Sequence, residues 1–335
     1  MFDFDFLFIF VLTLAGVYIF RTIAISKGVI SNPNFRSLHD APKPSGAGIV
    51  FSSVFVGFIF FSELTSKFDI SLVLVFAVGG AIASLFGLID DKYDIRATIK
   101  LFFQLCLVTW VLFFFNGGTL TQILWVPTWI SYLITGFLLL WLINLYNFVD
   151  GVDGMACSGA VFICLSLLLT LYIKESYFTN LHILLFILSI SSFAFLLFNW
   201  PPASIFMGDS GSVFLGYIFG ALIVYSTSTG QISIWTWLVV FGYFLGDTTT
   251  TSLIRMFMVK KWYGAHRSHA YQNLARIYGS HIKVTSGVLL YHLVWLLPLA
   301  IWSAQNSNGE PIAAILALTP SVLWTIKFGP FLSSS

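Results

Sequence analysis

Apolar runs long enough to enter a bilayer recur along this 335-residue chain, at 4–25, 46–61, 70–89, 99–115, 128–146, 156–173, 181–198, 213–225, 233–254, 284–303 and 311–327. A membrane-spanning helix needs about 20 mostly apolar residues. Several of these runs fall short of that, so the expected number of spans is ten to eleven. The runs are continuously apolar and do not alternate with period two, which selects helices over a β-barrel. With 9% charged residues, 36 Phe and 11 Trp, against roughly 25% charged in soluble domains, the chain is expected to be an all-α polytopic membrane protein. No soluble domain and no internal repeat interrupts it, so residues 1–335 form one integral-membrane domain.

Charge then predicts orientation. If successive loops alternate sides, Arg21, Lys27, Arg36, Lys43, Lys92, Arg96, Lys100, Arg255, Lys260, Lys261, Arg267, Arg276, Lys283 and Lys327 gather on one side, and only Lys67 and Lys174 on the other. The base-rich side is expected to be cytoplasmic, with the N-terminus periplasmic and the C-terminus cytoplasmic. Asp3 and Asp5 near the N-terminus are unlike the basic start of a signal peptide. Cys106, Cys157 and Cys164 lie in or beside spans and read as packing residues.

Six of the fourteen acidic residues fall in three clusters on the predicted cytoplasmic side. Carboxylates at a membrane are costly and are normally kept for function. Asp90, Asp91 and Asp94 end the third run; adjacent carboxylates ionise together only if a cation sits between them. That suits a general base or a metal–diphosphate platform, although Lys92 and Arg96 offer a plainer neutralisation. Asn144, Asn147, Asp150 and Asp153 recur every third residue, near one helical face, with Gly151 and Gly154 allowing close backbone approach; the plainer reading is an interfacial turn. Met207-Gly208-Asp209-Ser210-Gly211-Ser212 precedes the eighth run, where free N–H groups at a helix start fit a phosphate or a metal ligand. A bare N-cap by Asp209 or Ser210 is the alternative. Grouped oxygen donors of this kind suit a hard divalent cation.

The loop 255–283 holds six Arg or Lys, three His and no acid. It supplies the charge complement for an anionic substrate, or else contacts anionic headgroups. Two histidines at i and i+3, His266 and His269, are too few for zinc. Asp247 lies about 8 residues from the end of its run, roughly 12 Å deep, and reads as a hydrogen-bond hub. Gly216 and Gly220 form a close-packing pair.

With these residues in view, the chain resembles the polyprenyl-phosphate N-acetylhexosamine-1-phosphate transferases. The matching pieces are Arg36-Ser37-Leu38-His39 with Pro44-Ser45-Gly46-Ala47-Gly48, the Asp-Asp segment, Asn-x-x-Asn-x-x-Asp-Gly-x-Asp-Gly, Met-Gly-Asp-x-Gly-Ser, and His266-Arg267-Ser268-His269-Ala270-Tyr271-Gln272. They occur in family order. Ala47 replaces a usual Gly, and the three-His run of the peptidoglycan branch is absent, which points toward the O-antigen-initiating branch. The resemblance implies transfer of a sugar-1-phosphate (GlcNAc, FucNAc or QuiNAc type) from a UDP-sugar to undecaprenyl phosphate, with UMP released. It implies Mg2+, with Mn2+ as a substitute, and a bacterial inner-membrane location. The partners it implies are substrates and membrane lipids, not nucleic acid, with a homodimer left open. By the same resemblance Asp209 is the principal metal ligand, with Asn147 and Asp150. Asp90, Asp91 and Asp153 act in catalysis. Phe206 stacks on uracil, and His266, Arg267 and His269 hold the diphosphate or sugar. Asn144, on the same stripe as Asn147, is a further expected substrate contact, and the basic, aromatic segment 266–272 is the expected place of sugar selection, through Tyr271 and Gln272. The site would be built from loops 26–45, 90–98, 147–155, 199–212 and 255–283.

Two other functions stay open on the residues alone. A transporter would place its ionisable groups near the midplane, where only Asp247 lies. An intramembrane prenyltransferase is suggested by the D-D-x-x-D order at Asp90–Asp94, but would not need the other two acidic segments.

Overall fold

The computed structural model describes residues 3–28, 30–31, 42–64, 68–115, 126–174, 177–258 and 266–333. The Arg36–His39 motif and the bases Lys260 and Lys261 lie outside them. All eleven apolar runs fall in helices: α1 (Asp3–Lys27), α2 (Gly48–Leu64), α3 (Ile70–Tyr93), α4 (Ala97–Phe114), α5 (Thr128–Val149), α6 (Met155–Lys174), α7 (Asn180–Asn199), α8 (Asp209–Ser228), α9 (Ile234–Val240), α10 (Gly242–Met258), α11 (Ala270–Tyr278), α12 (His281–Gln305) and α13 (Glu310–Phe328). Nine helices among the described residues are long and apolar enough to cross a membrane. The second run gives a shorter helix of 17 residues. The ninth divides into α9 and α10 at Phe241 (φ −87°, ψ 0°), the C-cap of α9. The chain is a multi-pass, all-α membrane protein; its only sheet among the described residues is a two-residue antiparallel ladder, β1 (Ile30–Ser31) with β2 (Lys43–Pro44).

Helix α8 is the axis of the bundle. Of its span, 89% is buried inside the protein, against 17% for α1 and 22% for α4, which face lipid with Leu7, Phe8, Phe102 and Phe113. Without a hydrophobic drive between helices in lipid, association relies on close approach at small residues. A Cβ on Gly216 would lie 2.5 Å from the Ile143 Cα of α5, so the small-residue pair packs as expected. Opposite, α3 widens into a π-turn over Val73–Gly79. Such a turn disturbs the normal carbonyl pairing, and two carbonyls there are taken up by neighbouring helices. Trp110 Nε1 donates to Leu74 O (3.0 Å) and the Tyr217 hydroxyl to Val75 O (2.9 Å). This locks α3 against α4 and α8, and the same three helices carry Asp90, Asp91, Lys100 and Asp209 at one end of the bundle.

Candidate active site

Asp209 is the first residue of α8, and the N-cap position belongs to Gly208. The Asp209 and Ser210 N–H groups donate to Asp91 Oδ1 (2.8 Å) and Oδ2 (3.2 Å). A carboxylate from α3 therefore caps α8 in trans, satisfying orphan donors and complementing the helix dipole. Two expectations are corrected by this. Asp209 is not a bare N-cap, because its side chain projects free of its own backbone. The start of α8 is not an open phosphate cradle either, because Asp91 fills it. Glycine is required at the contact: Gly208 sits at φ +69° with Asp91 where a side chain would stand, and a Cβ on Gly87 of α3 would collide with the Asp209 carbonyl.

The Asp209 carboxylate gathers the rest. Asn147, in the last turn of α5, donates from Nδ2 to Asp209 Oδ1 (2.6 Å) and to the buried Ser212 hydroxyl (3.3 Å). Lys100 of α4 lies 3.8 Å from Asp209 Oδ2 and 2.6 Å from Asp90 Oδ2. The cation answering Asp90 is thus Lys100, rather than Lys92 or Arg96. Asp90 is 4% exposed and also accepts from the Ile95 N–H (2.9 Å) where the chain turns through Asp94 at φ +44°. The sequence groups Lys100 with the acidic clusters at one end of the spans but gives it no role; its nine-residue separation from Asp91 is bridged by the α3–α4 turn.

The three-residue Asn/Asp stripe does not stay on one face, because α5 ends at Val149. Asn144 turns sideways to Gln104 Oε1 of α4 (3.0 Å) and to Leu140 O. Asn147 meets Asp209. The Asp150 side chain, just past the helix, takes no hydrogen bond or ion pair among the described residues. Burial, then the charges of Asp209, Asp91 and Asp153, push its carboxyl well above the usual range. Asp153 points elsewhere: its oxygens meet the Ala203 N–H (2.9 Å), Lys43 Nζ (3.5 Å) and His281 Nδ1 (3.1 Å). Burial raises the Asp153 pKa, but the His281 hydrogen bond, the Ala203 N–H and Lys43 outweigh it and leave it below the ordinary value. Asp153 thereby ties the loop after α5 to α12 and to the segment Pro201-Pro202-Ala203 that follows α7. Asn199 does the same, accepting from Gly154 N and donating to Ile205 O.

The uneven charge on Asp150 gives a direct stability test. A raised carboxyl pKa means that ionisation opposes folding, and this loss grows as pH rises from the unfolded value toward the folded one. Asp150→Asn is therefore expected to raise the thermal midpoint of the cation-free protein by about 2–4 °C at pH 8, and by less at pH 5. A midpoint lowered at pH 8 would contradict the reading.

On the far wall, Phe206 is partly exposed, with Lys43 Nζ 5.3 Å from its ring centre, and its backbone pairs with Pro44 O (2.9 Å) and the Ala47 N–H (3.2 Å). Helix α11 is capped from inside the membrane bundle. Asp247, 1% exposed, accepts from the N–H groups of Ala270 (3.2 Å) and Tyr271 (3.3 Å) and from Thr251 Oγ1 (3.0 Å), with the buried His269 Nδ1 at 3.4 Å. It is the hydrogen-bond hub expected. The Tyr271 ring is fully buried and its hydroxyl donates to Phe148 O (2.7 Å), so it braces α11 on α5. His266 stacks toward Phe148 at 5.7 Å and is held at a pKa of about 3 by burial, then by His269 and Arg255; it is neutral at physiological pH. Gln272 approaches Gly151, and its Oε1 is buried with no partner among the described residues.

Among the described residues no three His, Cys, Asp or Glu side chains form a ready-made metal cage. Mg2+ does not require one, since it keeps several waters and takes one or two carboxylates plus substrate phosphates. The hard oxygens of Asp209 and Asn147, with the Asp150 carboxyl beside them, fit that donor set.

The model of the family described as glycosyl transferase family 4 matches residues 73–227. A probable undecaprenyl-phosphate N-acetylglucosaminyl 1-phosphate transferase of Bacillus subtilis is 28% identical, covering 82% of this chain and 77% of the relative. A decaprenyl-phosphate N-acetylglucosaminephosphotransferase of Mycolicibacterium smegmatis is 27% identical over 92% of this chain and 85% of its own. A phospho-N-acetylmuramoyl-pentapeptide-transferase of Streptococcus pneumoniae is 30% identical over 73% of this chain and 78% of its own. The chain belongs to glycosyl transferase family 4, among the polyprenyl-phosphate N-acetylhexosamine-1-phosphate transferases.

Proposed function

We propose that this protein transfers a HexNAc-1-phosphate from a UDP-sugar to undecaprenyl phosphate, releasing UMP and starting a lipid-linked surface polysaccharide of the O-antigen type. The observation that carries the reading is the meeting of Asp91, Asp209 and Asn147, with Lys100 between Asp90 and Asp209, at one end of the bundle. Phosphoryl transfer asks a protein mainly for positioning and charge stabilisation. Mg2+ held by Asp209 and Asn147 would neutralise charge on the leaving phosphate. Asp91 fixes Asp209 by capping α8, and Asp90 aims Lys100, which meets the acceptor phosphate. Phe206 offers an aromatic face for the uracil ring. Asp90 and Asp91, the carboxylates that would form an acyl-phosphate in a two-step route, are engaged by Lys100, the Ile95 N–H and the first N–H groups of α8, which favours direct attack by the acceptor phosphate. Enzyme, UDP-sugar and Mg2+ without lipid should then yield no UMP and no phosphosugar adduct.

Eleven spans with the acidic end cytoplasmic complete the proposal, because the bases collect at that end. In a cysteine-free background, cysteine at exposed Thr98 should label only from the cytoplasm and cysteine at exposed Ser228 only from outside. Labelling of both from one side would contradict this topology.

Membranes supplied with Mg2+, undecaprenyl phosphate and a panel of UDP-sugars, with lipid products read by mass spectrometry, test the activity and the sugar together. Uridine and diphosphate are common to every donor, so selection must come from other contacts. The unpartnered Gln272 Oε1 is suited to read a sugar donor group, whereas the Tyr271 hydroxyl is already spent on Phe148. Gln272→Ala is expected to change relative kcat/KM between UDP-GlcNAc and 6-deoxy donors by about tenfold or more, and Tyr271→Phe to lower all donors alike. Equal losses for Gln272→Ala would move sugar selection elsewhere.

A further inference from the structure

Beside the acidic site, α11, α12 and α13 leave a groove of about 330 Å³ open between them. Its walls are apolar and aromatic, including Val288, Tyr291, Trp324 and Tyr278. Gly287 lines it, and a side chain there would meet nothing within 4 Å. Lys283 stands on its rim. Lys327 follows Trp324 by three residues and so shares its face of α13. Neither lysine makes an ion pair among the described residues; the Lys327 ammonium lies 5.1 Å from the centre of the Phe328 ring.

The mouth of the groove is at the site end of the bundle. His281, two residues before Lys283, holds Asp153, and Asn273 of α11 donates to the carbonyls of Phe328 and Gly329 at the end of α13. Tyr278 and Trp324 are 54% and 43% exposed, which sets two amphipathic rings at headgroup level beside the cations.

We propose that this groove binds an anionic bilayer phospholipid, its headgroup phosphate between Lys283 and Lys327 and one acyl chain along α12 at Gly287. Two uncompensated cations at the mouth of an apolar slot are complementary to a negative head on a hydrocarbon tail. Basic pockets between spanning helices on the cytoplasmic side are favourable seats for such lipids. A zwitterionic headgroup brings its own cation and gains less from the pair. The wall residues Leu274 and Tyr278 belong to the helix that carries Gln272, so lipid and donor site share one structural element.

The test uses the full-length protein in nanodiscs of phosphatidylcholine doped with phosphatidylglycerol, with retained lipids counted by native mass spectrometry. Wild type should retain phosphatidylglycerol preferentially. The double variant Lys283→Gln/Lys327→Gln should lose roughly 30-fold of that preference, about fivefold per lysine. Gly287→Phe keeps both lysines, fills the slot, and should also release the lipid; unchanged thermal midpoints establish that the variants fold. No preference in wild type, or full preference in either variant, overturns the proposal. Displacement of phosphatidylglycerol by equimolar undecaprenyl phosphate also overturns it, making the groove the seat of the acceptor.

Discussion

Asp209→Asn is expected to lower sugar-phosphate transfer by about 10³-fold while leaving the protein folded. The substitution keeps shape, and the Asp209 backbone N–H still reaches Asp91, so α8 remains capped. What it removes is the negative charge that Asn147 and Lys100 converge on, and with it most of the attraction for a divalent cation. A lost metal ligand at a phosphoryl-transfer site removes several kcal/mol of charge stabilisation. Turnover near wild type at ordinary Mg2+ would remove Asp209 from the metal site. Unfolding would instead show the carboxylate to be structural.

Gly87→Ala is the smallest change expected to disable the site without touching a polar group. The new methyl would occupy the position of the Asp209 carbonyl, which is helix backbone and cannot rotate away. Either α3 or the first turn of α8 must shift. Overpacking of this kind costs about 1–3 kcal/mol, and the shift separates Asp91 from the N–H groups it caps. We expect a thermal midpoint several degrees lower and activity reduced by more than tenfold, since sub-ångström placement governs such chemistry. Gly57→Ala is the control: its added carbon meets nothing within 4 Å, and both measurements should stay at the wild-type level. Equal effects of the two substitutions would mean that the α3–α8 contact does not set the site.

Much of this architecture was legible in the sequence because hydropathy acts locally. Each apolar run is helical, and Gly216 packs against α5 as its spacing suggested. Asp247 also read correctly, since an acid followed by four threonines inside a span needs an internal partner. What the sequence did not disclose was which oxygen faces which neighbour. The Asn144–Asp153 stripe obeys helical spacing only up to Val149, and beyond it Asp150 and Asp153 diverge. Lys100, Lys43 and His281 contact acidic residues far from them in sequence. The basic company of Tyr271 suggests a substrate contact, whereas its hydroxyl is committed to a backbone carbonyl. Such pairings depend on helix crossings that composition does not encode.

The nucleotide released during turnover tests the central claim most directly. Protein reconstituted with undecaprenyl phosphate, a UDP-HexNAc and Mg2+ is expected to release UMP, one for each undecaprenyl-diphospho-sugar formed and none without lipid. Release of UDP with a monophosphate-linked sugar, or uptake of the intact UDP-sugar with no lipid product, would contradict the account.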